Sequence, residues 1–494
     1  MEFFTVPQLA KRKKADLLVI PFWAHPTKPQ AAVEVGTLES ILAPALETGD
    51  FHAKEGEILL VYAKGLPEQR VALLGLGRHE QLKVESLRRS YGSLTKQCLG
   101  KKIRHLNLTI PATVVLPYKE IIQGMAEGLL LPNYVFDRMK QHSEGEEAQE
   151  PSLIETLTWI APDSVLEVVH RVEAICDGVY YARDLINGNA DDITPQYLVS
   201  CAKGLAQELS HTKVTLFDKK RLEKENFGLL LAVNRGSPRD PALIILEYKG
   251  QPKSKNHTVL VGKGITFDTG GLNLKMTGME TMKSDMGGAA ACLGALLAIS
   301  NLELKVNVTI VIPTTENCID GHSFKPGDVY TSYSGKKVEM TNTDAEGRLI
   351  LADAIAYASA HLQPTRIIDI ATLTGAIEVA LGSEASGLMC TDETLAQQLI
   401  AAGERTFERV WRMPLYDEYK ERLKSDIADL KSWNGRSGGA CVAATFIRSF
   451  VDSSIPWAHL DIAGTAYLSE AKRYLPKYGT GAGVRLLVDL IENL

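Results

Sequence analysis

Four runs of almost uninterrupted apolar residues in the second half of this 494-residue chain limit the folds open to it. These runs are LIILEY (243–248), TVLVGKGI (258–265), KVNVTIVIP (305–313) and RIIDIATL (366–373). A strand that is apolar at consecutive positions is covered on both faces, which is typical of a sheet packed between helices. Helical patterns at 288–300, 349–362 and 440–451 accompany the runs. The pattern therefore predicts a helix-covered, parallel or mixed sheet.

The first third of the chain is organised differently, with shorter β-rich runs that alternate with helix-like segments. These runs lie at 16–23, 57–65, 70–77 and 106–117. A polar, acidic stretch at 140–152 predicts an exposed loop, and an amphipathic pattern over 163–187 predicts one long helix. Because 494 residues are too many for one ordinary core, we predict two domains. Residues 1–162 form a small N-terminal α/β domain, and 163–494 form the connecting helix and a larger C-terminal α/β domain.

Composition argues against several classes of partner. A net charge of -6 with 23% charged residues gives no global reason to expect binding to nucleic acid or an anionic membrane. No apolar run approaches the roughly 20 residues that span a bilayer. The seven cysteines are scattered and never spaced C-x-x-C, as in proteins of a reducing compartment. We therefore expect a cytoplasmic protein with no membrane partner and no cysteine-rich zinc site.

Two groups of charged residues follow predicted strands. The first group is Lys263, Asp268, Lys275 and Asp285, with several glycines between them. The second lies in TNTDAEGRLI (341–350), where alternate side chains of an extended segment would face the same side. We expect Asp344, Glu346 and Arg348 to converge in this way, with Gly347 easing the turn into the next helix. Since ligands of such sheets bind beyond the carboxyl ends of strands, the two groups predict one site.

Four carboxylates from separate loops repel one another unless positive charge lies among them. Lysines and Arg348 could supply that charge as a structural network of salt bridges. Divalent cations are the alternative, because each accepts several oxygen ligands. Two cations about 3.5–4 Å apart, bridged by carboxylates, form the two-metal arrangement of many hydrolases. From the spacing alone, both interpretations stay open.

Three other patterns are weaker. FDTG (267–270) matches the short signature of aspartic proteases, but those enzymes need two such aspartates, and no second D-T-G or D-S-G occurs. GKG (262–264) lacks the spacing of the nucleotide-binding motifs. His459 stands alone, which favours a hydrogen-bonded core histidine over a metal ligand.

Several motifs resemble those of the leucine aminopeptidases, also called cytosol aminopeptidases. They are VGKGITFDTGG, MKSDMGGAA, NTDAEGRL, ENCIDGHSFKPGD, DIATLTGA and HLDIAGTA, which occur in the family's order. The resemblance covers most of 180–494 and implies a C-terminal dinuclear metallopeptidase domain, a smaller variable N-terminal domain and assembly as a homohexamer. It implies removal of the N-terminal residue, preferably one like leucine, from peptides with a free N-terminus.

The resemblance also implies roles for individual residues. The ligands of two divalent cations, manganese or zinc, would be Lys263, Asp268, Asp285, Asp344 and Glu346. Lys275 and Arg348 match the two catalytic basic residues of the family, and Arg348 would hold a bicarbonate that shuttles the proton. The stretches that line the family's side-chain pocket contain Met282, Thr372, Gly375 and Ala463.

Two rival functions are considered beside this one. Some relatives bind DNA, and the basic segments KRKK (11–14) and KKIRH (101–105) give thin support for DNA binding here. A metal-stabilised scaffold without activity is the other rival. The ligand and catalytic sets are complete, so we expect an enzyme.

Overall fold

The computed structural model describes residues 1–140, 152–162 and 164–494. The chain forms two compact units: Met1–Cys176 with Ala471–Pro476, and Asp177–Glu470 with Lys477–Leu494. The predicted domain limits of 1–162 and 163–494 stay a prediction. Apart from its two end residues, the loop predicted at 140–152 lies outside the described residues.

The first unit contains a seven-stranded sheet with helices. Its strands are β1 (Glu2–Val6), β2 (Leu17–Trp23), β3 (Gln30–Ala31), β4 (Ile58–Tyr62), β5 (Arg70–Gly75), β6 (His105–Thr109) and β7 (Thr156–Ile160). Its helices are α1 (Glu39–Glu47), α2 (Val84–Gly100), α3 (Tyr118–Leu130) and the first part of α4 (Val165–Asn187). The strand order is β1-β7-β6-β2-β5-β4, with β3 beside β2. Most neighbours are parallel, whereas β3 and β4 are antiparallel to their partners.

The predicted strands at 16–23, 57–65 and 70–77 are confirmed, as is the long helix predicted from 163, which is α4. The strand predicted at 106–117 is wrong in its second half, because β6 ends at Thr109. Pro111 has no N–H to donate to a neighbouring strand, and Val114 beyond it is 97% exposed. The apolar run therefore predicts a strand only up to the residues before Pro111.

The second unit contains a nine-stranded sheet and two small sheets. The large sheet consists of β8 (Thr212–Phe217), β9 (Ala242–Lys249), β10 (Thr258–Gly262), β11 (Gly264–Asp268), β12 (Asn307–Asn317), β15 (Arg366–Ala371), β16 (Ser386–Cys390), β17 (Val410–Arg412) and β19 (Trp457–Asp461). The small sheets consist of β13 (Val329–Thr331), β14 (Lys337–Glu339) and β18 (Leu430–Lys431), and of β20 (Tyr467–Leu468) and β21 (Tyr478–Gly479).

Ten helices that begin within this unit accompany its sheets in the described residues. They are α5 (Pro195–Glu208), α6 (Lys219–Lys224), α7 (Gly228–Asn234), α8 (Gly287–Asn301), α9 (Glu346–His361), α10 (Gly375–Leu381), α11 (Glu393–Thr406), α12 (Glu418–Glu421), α13 (Gly439–Arg448) and α14 (Val484–Glu492). The large sheet runs β17-β16-β19-β15-β10-β12-β9-β8, with β11 beside β12. Its centre is parallel, while β8, β9 and β16 are antiparallel to a neighbour. The predicted mixed α/β sheet is confirmed.

The central strands are apolar throughout because both faces of the sheet are covered. Val259 and Val261 of β10 belong to a core that also includes Leu351 of α9 and Phe446 of α13. Ile370 of the neighbouring strand β15 lies near α8 instead, because a Cβ added at Gly483 would lie 2.4 Å from Ile370 Cδ1 and 3.2 Å from Ala291 Cβ of α8. Side chains of the central strands therefore pack against helices on both faces of the sheet.

One helical stretch has the length and apolar character needed to cross a membrane, although no apolar run of that length was expected from the sequence. It is Met279–Asn301, and 83% of its most apolar window is buried inside the protein. The same length and composition occur in the core helices of proteins that do not span a bilayer.

Asp353 of α9 accepts hydrogen bonds from two connecting segments of the second unit. Its side chain is fully buried. Oδ2 accepts hydrogen bonds from Leu229 N at 2.9 Å and Leu230 N at 3.0 Å, while Oδ1 accepts one from Tyr333 N at 2.7 Å. A carboxylate suits this position because both of its oxygens accept. Asp353 thus satisfies N–H groups at the start of α7 and in the loop after β13.

We expect Asp353→Asn to lower the free energy of unfolding by about 1–3 kcal/mol, because one end of an amide is a donor and would face a backbone N–H. Urea unfolding measures the change. The exposed Asp50 provides the control, since Asp50→Asn is expected to stay within about 0.5 kcal/mol of the parent. Equal stability of the two variants would contradict the role given to Asp353.

Candidate active site

The predicted site residues come together at the carboxyl ends of central strands in the second unit. Lys263 lies between β10 and β11, and Asp268 is the last residue of β11. Asp285 lies two residues before the start of α8, and Glu346 is the first residue of α9. Oxygens of Asp268, Asp344 and Glu346 lie within 4.8 Å of one another. The expectation that the two charged groups form one site at this edge agrees with the geometry.

Lys263 is the buried cation at the centre of this cluster, with 2% of its surface exposed. Its Nζ lies 2.7 Å from Asp285 Oδ1, 2.9 Å from Glu346 Oε1 and 2.8 Å from the carbonyl oxygen of Thr372. Burial alone would lower the pKa of Lys263, but the carboxylates of Asp285 and Glu346 raise it above its ordinary value. The ammonium therefore holds two acids together when no other cation is present.

Lys275 bridges the other pair of acids. Its Nζ lies 2.9 Å from Asp268 Oδ2 and 2.5 Å from Asp344 Oδ1. Burial lowers the pKa of Lys275, whereas Asp268 and Glu346 raise it, and the carboxylates prevail. Lys275 is therefore a charged donor that reaches the acids while part of its side chain stays open to the solvent.

The four acids of the cluster outnumber its two lysines, so the site has an excess of acidic groups that bound cations could offset. Burial raises the pKa of Asp268, Asp285 and Asp344, the last to about 6, and neighbouring carboxylates add to the rise. Asp285 Oδ2 is buried without a hydrogen-bond partner among the residues that the structure describes. Carboxylate oxygens with uncompensated charge are the ligands that hard divalent cations prefer. The residues present fit a metal centre.

Gly347 permits the close approach of α9 to Lys263. A Cβ at Gly347 would lie 2.5 Å from Lys263 Cε and 2.7 Å from Nζ, so the lysine side chain would have to move out of its present position. The expected reason for this glycine was a turn into the helix, but Gly347 already belongs to α9. Space for the buried lysine is the reason that the structure supports.

The segment around Asp344 is not extended, which corrects the argument made from alternate spacing. Thr343 and Asp344 lie in a turn, and α9 begins at Glu346. Residues two apart on a helix do not share a face, so Glu346 and Arg348 diverge. Asp344 and Glu346 still converge, because a turn followed by a helix start brings their carboxylates to the same point.

Arg348 is buried next to the acids rather than among them. Its Nη1 donates to the carbonyl oxygen of Ser432 at 2.9 Å. Nε is buried and has no acceptor among the described parts of the chain. Burial lowers the pKa of Arg348 to about 10, although Glu346 and Asp461 act in the opposite direction. The guanidinium is therefore charged at neutral pH with a free donor.

The cluster opens into a cleft of about 1410 Å³. The four predicted substrate-binding residues Met282, Thr372, Gly375 and Ala463 all line it. Thr372 does more than line the cleft, since its Oγ1 donates to Asp285 Oδ1 at 2.8 Å and its carbonyl oxygen accepts from Lys263. A residue expected to contact substrate thus also positions two predicted ligands.

Sequence reasoning missed residues that support the cluster from adjacent strand ends. Asn317 ends β12, and its Nδ2 donates to Asp268 Oδ1 at 2.8 Å. Asp461 ends β19 and accepts from Thr374 Oγ1 at 2.7 Å and Leu373 N at 3.1 Å. Both residues are polar positions at the carboxyl end of a strand. The rule that identified Asp268 would have found them too.

His459 is confirmed as a core histidine. It is fully buried, and its Nδ1 lies 2.5 Å from Asp369 Oδ1. Trp457 Nε1 donates to the other oxygen of Asp369 at 2.7 Å. His459 does not line the cleft.

Two parts of the chain match domains of one known family. Residues 180–488 match the catalytic domain of the cytosol aminopeptidase family, and residues 19–143 match the N-terminal domain of that family. The chain is therefore a peptidase of the aminopeptidase class, a hydrolase that acts on peptides. It belongs to the cytosol aminopeptidase family.

Curated relatives agree over the full length. A probable cytosol aminopeptidase of Protochlamydia amoebophila (strain UWE25) is 62% identical and covers 100% of this chain and 99% of the relative. A probable cytosol aminopeptidase of Chlamydia felis (strain Fe/C-56) is 45% identical over 99% of both chains.

Solved structures agree with the fold. A mutant of tomato leucine aminopeptidase has a TM-score of 0.88 and 30% identity, and the match covers 100% of this chain and 97% of that one. The bottromycin maturation enzyme BotP in complex with Mn has a TM-score of 0.85 and 31% identity over 97% of this chain and 99% of that one. The two-domain α/β fold is thus that of the family.

Substituting Gly347 tests the packing of α9 against Lys263. We expect Gly347→Ala to destabilise the protein by about 1–3 kcal/mol, because its methyl group would overlap the lysine side chain. Peptide hydrolysis should fall as well, since Lys263 would move away from Asp285 and Glu346. Urea unfolding and kcat/KM for a leucyl peptide measure the two effects.

Gly204 of α5 is the matched control, because a Cβ there would meet no atom within 4 Å. Alanine is favoured over glycine inside a helix by about 0.5–1 kcal/mol, so Gly204→Ala should be neutral or stabilising and fully active. If Gly347→Ala behaved like this control, the close packing would have no functional importance.

Proposed function

We propose that this aminopeptidase removes N-terminal residues like leucine with the help of two divalent cations. The observation that carries the proposal is the convergence of Asp268, Asp285, Asp344 and Glu346 on one cleft, with more negative charge than Lys263 and Lys275 neutralise. The Mn-bound relative BotP supports a divalent metal in this fold. Manganese or zinc suits the set of carboxylates and one amine.

The proposed ligands divide into two sets that share two acids. Asp268, Asp344 and Glu346 would hold one cation. Lys263, Asp268, Asp285 and Glu346 would hold the other, with Lys263 as a neutral amine in place of its present ion pairs. Bound divalent cations supply Lewis-acid chemistry, which lowers the pKa of water to roughly 7 and polarises a carbonyl group.

Lys275 and Arg348 complete the proposed machinery. Lys275 keeps its proton beside Asp268 and Asp344, so it can donate a hydrogen bond to the peptide carbonyl oxygen as negative charge develops there. Arg348 has a buried Nε without an acceptor among the described residues, and a planar guanidinium fits a planar anion such as bicarbonate. Such an anion, held by Arg348, would accept and return the proton.

The predicted pocket residues suit an apolar side chain of moderate size. Met282 contributes an apolar side chain, while Gly375 and Ala463 take up little room in the cleft. A Cβ added at Gly375 would meet no atom within 4 Å, so there is open space beside this residue. A leucine side chain would bury apolar surface here without displacing a charged group.

One basic residue in each of the two segments that would favour DNA binding is already paired with an acid. In the first, Arg12 is paired with the buried Glu68 at 2.8 Å. In the second, Arg104 is paired with Glu155 at 2.7 Å. Basic residues whose charge is already matched attract phosphates less. The homohexamer stays an expectation drawn from the resemblance, and the cytoplasmic location stays an expectation drawn from the apolar runs and the cysteine pattern.

A free N-terminus should be essential for the substrate. The cleft is acidic. A free α-amine has a pKa of about 7.7–8.0, so near neutral pH a fraction of it is unprotonated and has a basic lone pair, whereas an acetylated amine has none. We expect hydrolysis of Leu-Gly or leucyl-p-nitroanilide, with little or no hydrolysis of the N-acetylated forms under the same metal and pH. Comparable kcat/KM for free and acetylated substrates would disprove the aminopeptidase mechanism.

Metal content tests the ligand assignment independently of activity. We expect two divalent cations per chain in the parent and fewer in Asp344→Asn, because an amide is a weaker ligand than a carboxylate. Elemental analysis after dialysis against trace metal gives the number. Asp50→Asn serves as the control and should retain two. An unchanged content in Asp344→Asn would assign this residue to a salt bridge with Lys275 alone.

A further inference from the structure

The segment Ser432–Gly439 runs beside the active-site cleft and is held at both ends. At its start, the carbonyl oxygen of Ser432 accepts from Arg348 Nη1, and the carbonyl oxygen of Trp433 accepts from Thr341 Oγ1 at 2.6 Å. At its end, a Cβ at Gly439 would lie 3.1 Å from Ala376 Cβ in α10. The segment therefore passes from the buried arginine to the helix that begins at the predicted side-chain pocket.

Arg422 holds the middle of this segment. Its Nη2 donates to the carbonyl oxygen of Asn434 at 2.5 Å, and its Nη1 donates to that of Ser437. Asn434 Nδ2 donates back to the carbonyl oxygen of Arg422 at 2.8 Å. Between these two anchored residues lie Gly435 and Arg436. The backbone at Arg436 is thus fixed on both sides by one guanidinium.

The side chain of Arg436 lines the cleft and is exposed. Its guanidinium makes no hydrogen bond or ion pair with any residue that the structure describes. Among the described residues, the cations that line the cleft are Arg436, Lys263 and Lys275, and each of the two lysines bridges a pair of acids. Arg436 is therefore the cation of the described cleft that remains available to a ligand.

The cleft is larger than one amino-acid side chain requires. Its volume of about 1410 Å³ exceeds the roughly 300–1,000 Å³ that holds a drug-sized molecule. A peptide whose first residue lies at the carboxylate cluster extends outward by at most about 3.3–3.6 Å per residue. A peptide of two or three residues is therefore at most about 11 Å long, and its terminal carboxylate carries a negative charge.

We propose that Arg436 binds the C-terminal carboxylate of peptides of two to three residues, so that the cleft selects short peptides with both termini free. A guanidinium donates two parallel hydrogen bonds to a carboxylate, which gives geometry as well as charge. Because Arg422 holds the backbone of the segment, Arg436 is positioned before the substrate binds. The inference rests on the proposed function, since it requires the N-terminus of the substrate at the carboxylate cluster.

The acid and amide forms of one peptide test the proposal. The substrates are Leu-Gly and Leu-Gly-Gly, each compared with its C-terminal amide, and the quantity is the ratio of KM for the amide to KM for the acid. In the parent enzyme we expect this ratio to reach about 10 for at least one length, the size of one charge-assisted hydrogen bond. Arg436→Gln should bring the ratio to about 1, and Arg436→Lys should give an intermediate value.

Arg78 provides the matched control, since it is exposed, lies outside the cleft and has no ion pair among the described residues. Arg78→Gln should keep the ratio of the parent. An Arg436→Gln ratio equal to that of the parent at both lengths would overturn the proposal, as would a parent ratio near 1. Failure of the parent to hydrolyse any of the four peptides would instead overturn the proposed function. Circular dichroism of each variant confirms that the ratios compare folded proteins.

Discussion

Repulsion among buried carboxylates is the constraint on which the second unit of the chain depends. Asp268, Asp285 and Glu346 are almost fully buried, and each would be strongly destabilising without a partner. Lys263 and Lys275 offset part of this repulsion by bridging two acids each. The strand ends and the starts of α8 and α9 must therefore meet at one point with little tolerance. A rigid, covered sheet is well suited to holding them there.

Backbone packing makes that meeting possible. A Cβ at Gly288 would lie 2.0 Å from the carbonyl oxygen of Ile370, so α8 can begin against β15 only without a side chain at this position. Gly347 plays the same part for α9 and Lys263. The distance between helix and strand decides where Asp285 and Glu346 point. Small residues are thus as necessary to the ion network as the charged residues themselves.

The fold was largely predictable because its signals are local. Uniformly apolar strands such as β9 and β10 and the amphipathic pattern of α4 are visible within a few residues of sequence. The conformation of the segment before α9 was not predictable, because a turn and an extended strand can both bring the carboxylates of Asp344 and Glu346 together. Support from distant residues was also hidden. Asn317 and Asp461 reach the site through pairing of strands far apart in sequence, and the exposed Arg436 carries no periodic signal at all.

The reaction and the choice of substrate depend on different parts of the cleft. The acids and lysines at its base form ion pairs, and Lys263, Asp268, Asp285 and Glu346 are also buried. A change there therefore disturbs the fold as well as the chemistry. The outer residues are not constrained in this way, since Leu272, Leu274 and Met276 line the cleft with 45%, 47% and 86% of their surface exposed. Exposed side chains can change with little cost in stability. BotP, a bottromycin maturation enzyme, shares this fold at 31% identity, so one fold accommodates distinct roles. Family membership therefore identifies the reaction, whereas preference among peptides has to be argued from the exposed residues of the cleft.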